Sequence, residues 1–158
     1  MAVSGRYFRL GDITFTNIVG NTIGRFRPYE YTGSVSFARQ IKSNFSVGIA
    51  GKYIFSNLTG GITIAGGATH AGQSFAMDFS CYKRDTINFI KTDDIFAWGV
   101  NVSNIGQKIK YTDDTLAGDF LPTNLRIGIS YKIHFTKRNS IAIICDANKL
   151  LVPTPPVY

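Results

Sequence analysis

Between Tyr29 and Phe55, bulky apolar side chains fall almost entirely on a single parity through two runs separated by three residues, and this spacing commits the chain to β-structure. Successive side chains of a strand point to opposite faces, so a strand with one apolar face shows period-two alternation, whereas a helix repeats near 3.6. In the first run Tyr31, Val35, Phe37 and Ile41 share one parity, and Glu30, Thr32, Ser34, Ser36, Ala38 and Gln40 the other. After Lys42-Ser43-Asn44, the residues Phe45, Val47, Ile49, Tyr53 and Phe55 oppose Ser46, Gly48, Ala50 and Lys52, which predicts a tight hairpin. The same alternation predicts strands over 73–83, 95–104, 123–135 and 140–148, and a weaker first strand over 6–15. The count is seven strands, with no competing helical periodicity.

Alternation alone leaves open which face meets water, since a soluble β-barrel binder would show it too, and the identity of the polar residues favours the membrane. Charged residues are 17% of the chain, below the roughly 25% usual in soluble domains. The non-apolar face is dominated by Ser, Gly, Ala and Asn rather than by Lys, Glu and Asp, which suits a barrel interior better than a solvated outer surface. The expected fold is therefore an all-β, antiparallel transmembrane β-barrel with its large residues toward lipid, and with Tyr29, Tyr31, Tyr53 and Trp98 in interfacial girdles. No run of about 18 apolar residues occurs, which excludes a transmembrane helix and says nothing against a barrel.

Connection lengths supply a second test. Residues 16–26, 57–72 and 105–122 form long connections, 42–44 and 136–138 short ones, and 84–94 is longer than a minimal turn. Long extracellular loops alternating with short periplasmic turns are the pattern of a bacterial outer-membrane barrel. Seven strands are fewer than the eight that close the smallest such barrel, and an open sheet in lipid leaves backbone groups unsatisfied. The expectation is one partial barrel domain over 1–158, an internal piece that lacks other strands and a signal peptide, since Met1-Ala2-Val3-Ser4-Gly5-Arg6 has no apolar core segment.

Other function classes find little support. The net charge of +7 is spread along the chain and into turns, with no basic face for nucleic acid. Cys81 and Cys145 lack metal-ligand spacing. His70 and His134 are the only imidazoles, fall at opposite ends of the expected barrel, and have no nucleophile motif beside them, so no catalytic residue is assigned. The pairs Asp93-Asp94 and Asp113-Asp114 lack the regular oxygen-ligand spacing of a calcium loop, and no metal or cofactor is expected. Charged residues with lumen parity, Lys52, Asp78, Arg126, Lys132 and Asp146, are candidates to line the interior, either as cross-strand pairs or as ligand contacts.

Five stretches carry a family resemblance: Tyr7-Phe8-Arg9-Leu10-Gly11-Asp12-Ile13, Phe26-Arg27-Pro28-Tyr29-Glu30, Ala97-Trp98-Gly99-Val100-Asn101-Val102-Ser103-Asn104-Ile105-Gly106, Leu121-Pro122-Thr123-Asn124-Leu125-Arg126-Ile127-Gly128 and Asp146-Ala147-Asn148-Lys149-Leu150-Leu151-Val152-Pro153-Thr154. Together they resemble the PorV family, FadL-like outer-membrane proteins of the type IX secretion system of Bacteroidota. The resemblance implies a fourteen-stranded barrel, of which seven strands are about half. It also implies partners: a SprA-type translocon, a PorU-type attachment protein and the C-terminal signal domain of cargo, besides outer-membrane lipid. On that reading Asn57, Leu58, Ile62, Ile64, Tyr111, Leu116, Phe120, Leu150, Leu151 and Pro153, in the outer loops and tail, are candidate partner contacts. A FadL-like fold also suggests an alternative, a transport channel for hydrophobic small molecules, and proteins of this kind have also carried a lipopolysaccharide deacylase label.

Overall fold

The computed structural model describes residues 1–58, 60–61, 63–64, 67–88, 93–112, 118–136 and 138–151. In chain order its strands are β1 (Ala2–Arg9), β2 (Ile13–Thr16), β3 (Thr22–Phe26), β4 (Tyr29–Lys42), β5 (Phe45–Asn57), β6 (Thr63–Ile64), β7 (Gly67–Ala68), β8 (Gly72–Ile87), β9 (Asp94–Gly106), β10 (Asn124–His134) and β11 (Ser140–Leu150). Seven of them form one antiparallel sheet in the order β1-β4-β5-β8-β9-β10-β11, curled into a half-barrel with β1 and β11 as its free edges. The remaining four make two short ribbons, β2-β3 and β6-β7, both inside long connections.

Two expectations from the sequence need correction. The strand over 6–15 is in fact broken: β1 stops at Arg9, and β2 belongs to a separate ribbon paired with β3. The break falls at Gly11, whose φ of +85° lies in the left-handed region that disfavours other residues. Beside it Arg27 binds the Asp12 carboxylate through Nε and, at 3.2 Å, through Nη2, which closes the root of the ribbon. The connection over 84–94 is shorter than expected, because β8 runs on to Ile87 and β9 starts at Asp94.

Register and burial place the two faces. On β4 Tyr31, Val35, Phe37 and Ile41 are all exposed, and Phe37 keeps 55% of its surface, while Thr32, Ser34 and Ser36 between them are partly covered. The apolar face is thus the convex one and the small polar face lines the concavity, the reverse of a soluble sheet packed on a core. The aromatic rings of the convex face gather toward the long-loop end of β1, β4, β5 and β8. Tyr7 stacks on Tyr29, Tyr29 on Phe55, Phe55 on Tyr31 at 4.7 Å, and Tyr53 meets Phe75 at 5.1 Å. A second aromatic group, Phe45 on β5 and Phe96, Trp98 and Tyr131 on β9 and β10, lies toward the short-turn end. Ten residue steps separate Phe55 from Phe45 along β5. At about 3.3 Å per residue and a strand tilt of about 40°, that is roughly 25 Å of height, which matches the apolar band of an outer-membrane barrel.

Candidate functional site at the mouth of the half-barrel

The long-loop end of the concavity is built around a bulge. Met77 pairs with Ile105 but Phe79 pairs with Val102, so two residues of β9 oppose one of β8. Asn104, one of the extra pair, takes φ of +59°, a conformation that Asn tolerates better than most side chains. From there it ties three elements together. Its backbone N–H donates to Asp78 Oδ1 at 2.9 Å, and its side-chain Oδ1 accepts from Lys52 Nζ at 3.1 Å. Its Nδ2 donates to the Pro122 carbonyl at 3.2 Å, and its own carbonyl accepts from Thr123 Oγ1 at 3.0 Å. Lys52 and Asp78 form an ion pair at 2.6 Å, both only partly exposed. They are diagonal neighbours, since Lys52 pairs with Ala76 and Ala50 with Asp78.

The described parts of the loop between β9 and β10, 107–112 and 118–123, leave this bulge and fold back into the mouth. Gly106 permits the turn, because a Cβ there would overlap the Phe75 carbonyl oxygen and sit 2.8 Å from Ala76 Cα. Gln107 N–H then donates to Phe75 O at 3.1 Å, and Ser74 Oγ donates to Gln107 O at 2.7 Å. Ile109 and Asp119 exchange both backbone hydrogen bonds at 2.9 Å, which closes the described part of the loop on itself. Ile109 and Leu121 are buried, as are Ala76, Ser56, Thr69 and Ser74, so much of the tightest packing among the described residues lies at the mouth. The loop over 57–72 braces it: His70 N–H donates to Tyr111 O at 2.8 Å, and Thr69 bridges to Thr112.

Tyr111 points inward. Its hydroxyl donates to Ser56 Oγ at 2.9 Å, and Ser56 donates to Glu30 Oε1 at 2.6 Å. Burial pushes the Tyr111 hydroxyl above the usual tyrosine range, against the Ser56 hydrogen bond, so it stays protonated at neutral pH. Between the loop and the sheet lies a cavity of about 530 Å³ whose lining includes Arg6, Glu30, Lys52, Tyr111, Phe120 and Leu121.

The other lumen candidates are not gathered here. Arg126 donates through Nε to Asn148 Oδ1 at 2.7 Å, and Asp146 leans over Gly128, where a Cβ would collide with its carboxylate. Both line a second hollow of about 380 Å³, floored by the cross-strand pair Gly99 and Gly128. Lys132 lies nearer the short-turn end, opposite Ala142.

Of the ten candidate partner contacts, Asn57 caps the next turn by accepting from Gly60 N–H at 3.1 Å, and Leu58, Leu150 and Leu151 are exposed at the rim. Tyr111 and Phe120 line the cavity, although Phe120 stays exposed and carries Lys108 Nζ 4.1 Å over its ring. Ile64 falls in β6, and Ile62, Leu116 and Pro153 lie outside the described residues. Sequence reasoning missed Asn104, Ser56 and Glu30 as a working set, and it missed the tip of the β2-β3 ribbon. There Asn17 Oδ1 accepts from the N–H groups of Val19 and Asn21, and this holds Ile18 and Val19 fully out in solvent. The Asn104-Ile105-Gly106 and Leu121-Pro122-Thr123 stretches were the available signal, since they are the two ends of the inward loop joined through Asn104 and Pro122.

His70 and His134 sit at opposite ends of the sheet, each with Nδ1 against a backbone carbonyl, of Ala71 and of Asp93 respectively. No curated protein matches the chain. A family model described as type IX secretion system protein PorV matches residues 1–157, so the chain belongs to the PorV family of type IX secretion components.

Proposed function

We propose that this chain is part of an outer-membrane barrel that receives secreted proteins through their C-terminal signal domain at a SprA-type translocon and hands them to a PorU-type attachment protein, without catalysing a reaction. Family membership supports the setting. The convex apolar face and its two aromatic groups support a lipid-facing surface, and the alternation of long loops with short turns supports the orientation usual in outer-membrane barrels, long loops outside and short turns in the periplasm. Further strands of a larger barrel close the β1 and β11 edges, because a bilayer offers their backbone groups no partner.

One observation favours a carrier over an open channel: the loop between β9 and β10 is folded into the mouth and fastened to the wall through Tyr111, Ser56 and Asn104. That leaves the rim as the working surface, with Ile18 and Val19 on the ribbon, Leu58 in the loop after β5, and Leu150 and Leu151 at the opposite, β11 edge. Apolar side chains on a short, internally hydrogen-bonded ribbon suit docking to a β-rich domain. The test is capture of a purified signal domain by the full-length protein carrying Ile18→Ser and Val19→Ser. Membrane insertion should be unchanged and capture reduced, and equal capture would refute the assignment of the ribbon.

The hollow floored by Gly99 and Gly128 supports a second reading, a lumen that carries hydrophobic small molecules. Fatty acid retained by the purified protein in native mass spectra, with no loss on Gly128→Ala, would place such a ligand elsewhere; loss on that substitution would favour the channel.

A further inference from the structure

Three arginines meet at the root of the β2-β3 ribbon. Arg9 ends β1 opposite Tyr29, which itself stacks between Tyr7 and Phe55 on the convex face. Arg27 leads into Pro28, whose carbonyl accepts from Leu10 N–H at 3.1 Å, and Arg25 faces Thr14 across the ribbon. A single carboxylate, Asp12, answers them, and Arg27 alone hydrogen-bonds it. The Asp12 carboxyl is held below the usual carboxylate range chiefly by that hydrogen bond, with the charges of Arg9 and Arg25 adding to the effect. The guanidinium groups of Arg9 and Arg25 make no hydrogen bond or ion pair with another described residue.

The height of this cluster identifies what it meets. It begins level with the aromatic group at the long-loop end, where Arg9 pairs with Tyr29, and continues past it through Arg27 and Arg25, which precede Tyr29 by two and four residues, and aromatic girdles mark the boundary between hydrocarbon and headgroups. Two uncompensated guanidiniums at that level face the layer in which lipid phosphates lie, and guanidinium binds phosphate through paired N–H donors. We propose that Arg9, Arg25 and Arg27 hold the phosphate of a membrane-lipid headgroup at the outer rim of the barrel. This rests on the reading of the convex face as lipid-facing. The bound lipid fixes the root of the ribbon against the bilayer and so sets the direction in which Ile18 and Val19 project.

The test uses the full-length protein in phosphatidylcholine vesicles with and without a minor share of phosphatidic acid, and reads the phosphatidic acid that remains bound in native mass spectra after extraction. The wild type should retain it, and Arg9→Gln with Arg25→Gln should bind it about thirtyfold more weakly, the loss expected for two surface cations at an anionic membrane. Asp12→Asn, which removes the competing carboxylate and spares the arginines, should raise retention, whereas a merely structural Asp12–Arg27 brace would leave it unchanged or lower it. Inorganic phosphate should not displace the lipid. Equal retention by wild type and the double arginine variant overturns the site, and displacement by inorganic phosphate overturns the lipid as its occupant. Insertion into pure phosphatidylcholine vesicles separates the two readings: a protein that inserts yet shows no preference for phosphatidic acid refutes only this site. One that fails to insert at all refutes the lipid-facing surface and this site with it.

Discussion

Asn104→Ala isolates the tie that holds the inward loop to the sheet. The substitution removes two side-chain hydrogen bonds, from Lys52 Nζ at 3.1 Å and to the Pro122 carbonyl at 3.2 Å. Each contributes about 1 kcal/mol net. It also puts a residue without Asn's tolerance at φ of +59°, for about 1 kcal/mol more. Lys52 keeps Asp78 as its partner, so no unpaired charge is created. The sum is about 3 kcal/mol of local stability, or a factor of roughly 150 in the opening of the loop between β9 and β10. Asn104→Gly loses the same hydrogen bonds without the backbone strain, so about 2 kcal/mol and a roughly thirtyfold change follow. Hydrogen exchange of the full-length protein in detergent reads both. The Gln107 amide, which is bonded to Phe75 O on β8, and the Ile109 and Asp119 amides, which are bonded to each other's carbonyls within the loop, should exchange faster in the order Ala, then Gly, then wild type, while amides of the β4-β5 hairpin keep their protection. Equal exchange in Ala and Gly variants would refute the backbone argument, and wild-type exchange in both would refute Asn104 as the tie.

Two further predictions concern the ribbon. The Asp12–Arg27 bond lowers the Asp12 pKa from its ordinary 3.8, so its contribution is complete above that value and is lost as pH falls through the lower folded value. Circular dichroism or exchange at Leu10 should therefore show the ribbon root unchanged between neutral pH and about pH 5 and loosened only in stronger acid, a transition that Asp12→Asn removes. Gly60→Ala should detach the ribbon from the loop over 57–61, because φ there is +63° and the new Cβ would enter the Phe26 ring; faster proteolysis within 13–26 at an unchanged barrel melting point is the expected outcome.

The sheet was legible in the sequence because period-two alternation reports a physical fact, one face apolar and one not. Its seven strands and both free edges follow from that pattern and the turn positions. The ribbon was not legible: Ile13 and Phe15 continue the apolar parity of the preceding strand, and only the left-handed backbone at Gly11 ends it. At the site, parity placed Lys52 and Asp78 on one face, yet their partnership needed the register that makes them diagonal. Tyr111 and Phe120 read as rim residues because a loop sequence carries no sign of the direction in which it folds. That direction is set by Gly106 and Gly72, which bring the backbone too close for a side chain, and by Asn104 reaching across to Pro122.

Whether the inward loop is a gate or a fixture can be judged from its attachments. Six hydrogen bonds fasten it to the sheet or to the loop over 57–72: Gln107 to Phe75, Ser74 to Gln107, Asn104 to Pro122, Thr123 to Asn104, Tyr111 to Ser56 and His70 to Tyr111. At about 1 kcal/mol each they hold it by about 6 kcal/mol before the burial of Ile109 and Leu121 is added, which leaves fewer than about one molecule in ten thousand open. Tyr111→Phe removes one of the six and leaves Ser56 still donating to Glu30, so the open fraction rises about fivefold and remains negligible. A fixture predicts that planar-bilayer conductance and dye leakage of the full-length protein are unchanged by Tyr111→Phe, and that signal-domain capture is unchanged as well, since the ribbon is untouched. A gate predicts a measurable rise in conductance from this one substitution. Such a rise would mean that the loop is held far more weakly than its bonds imply, and it would move the working surface from the rim back into the lumen.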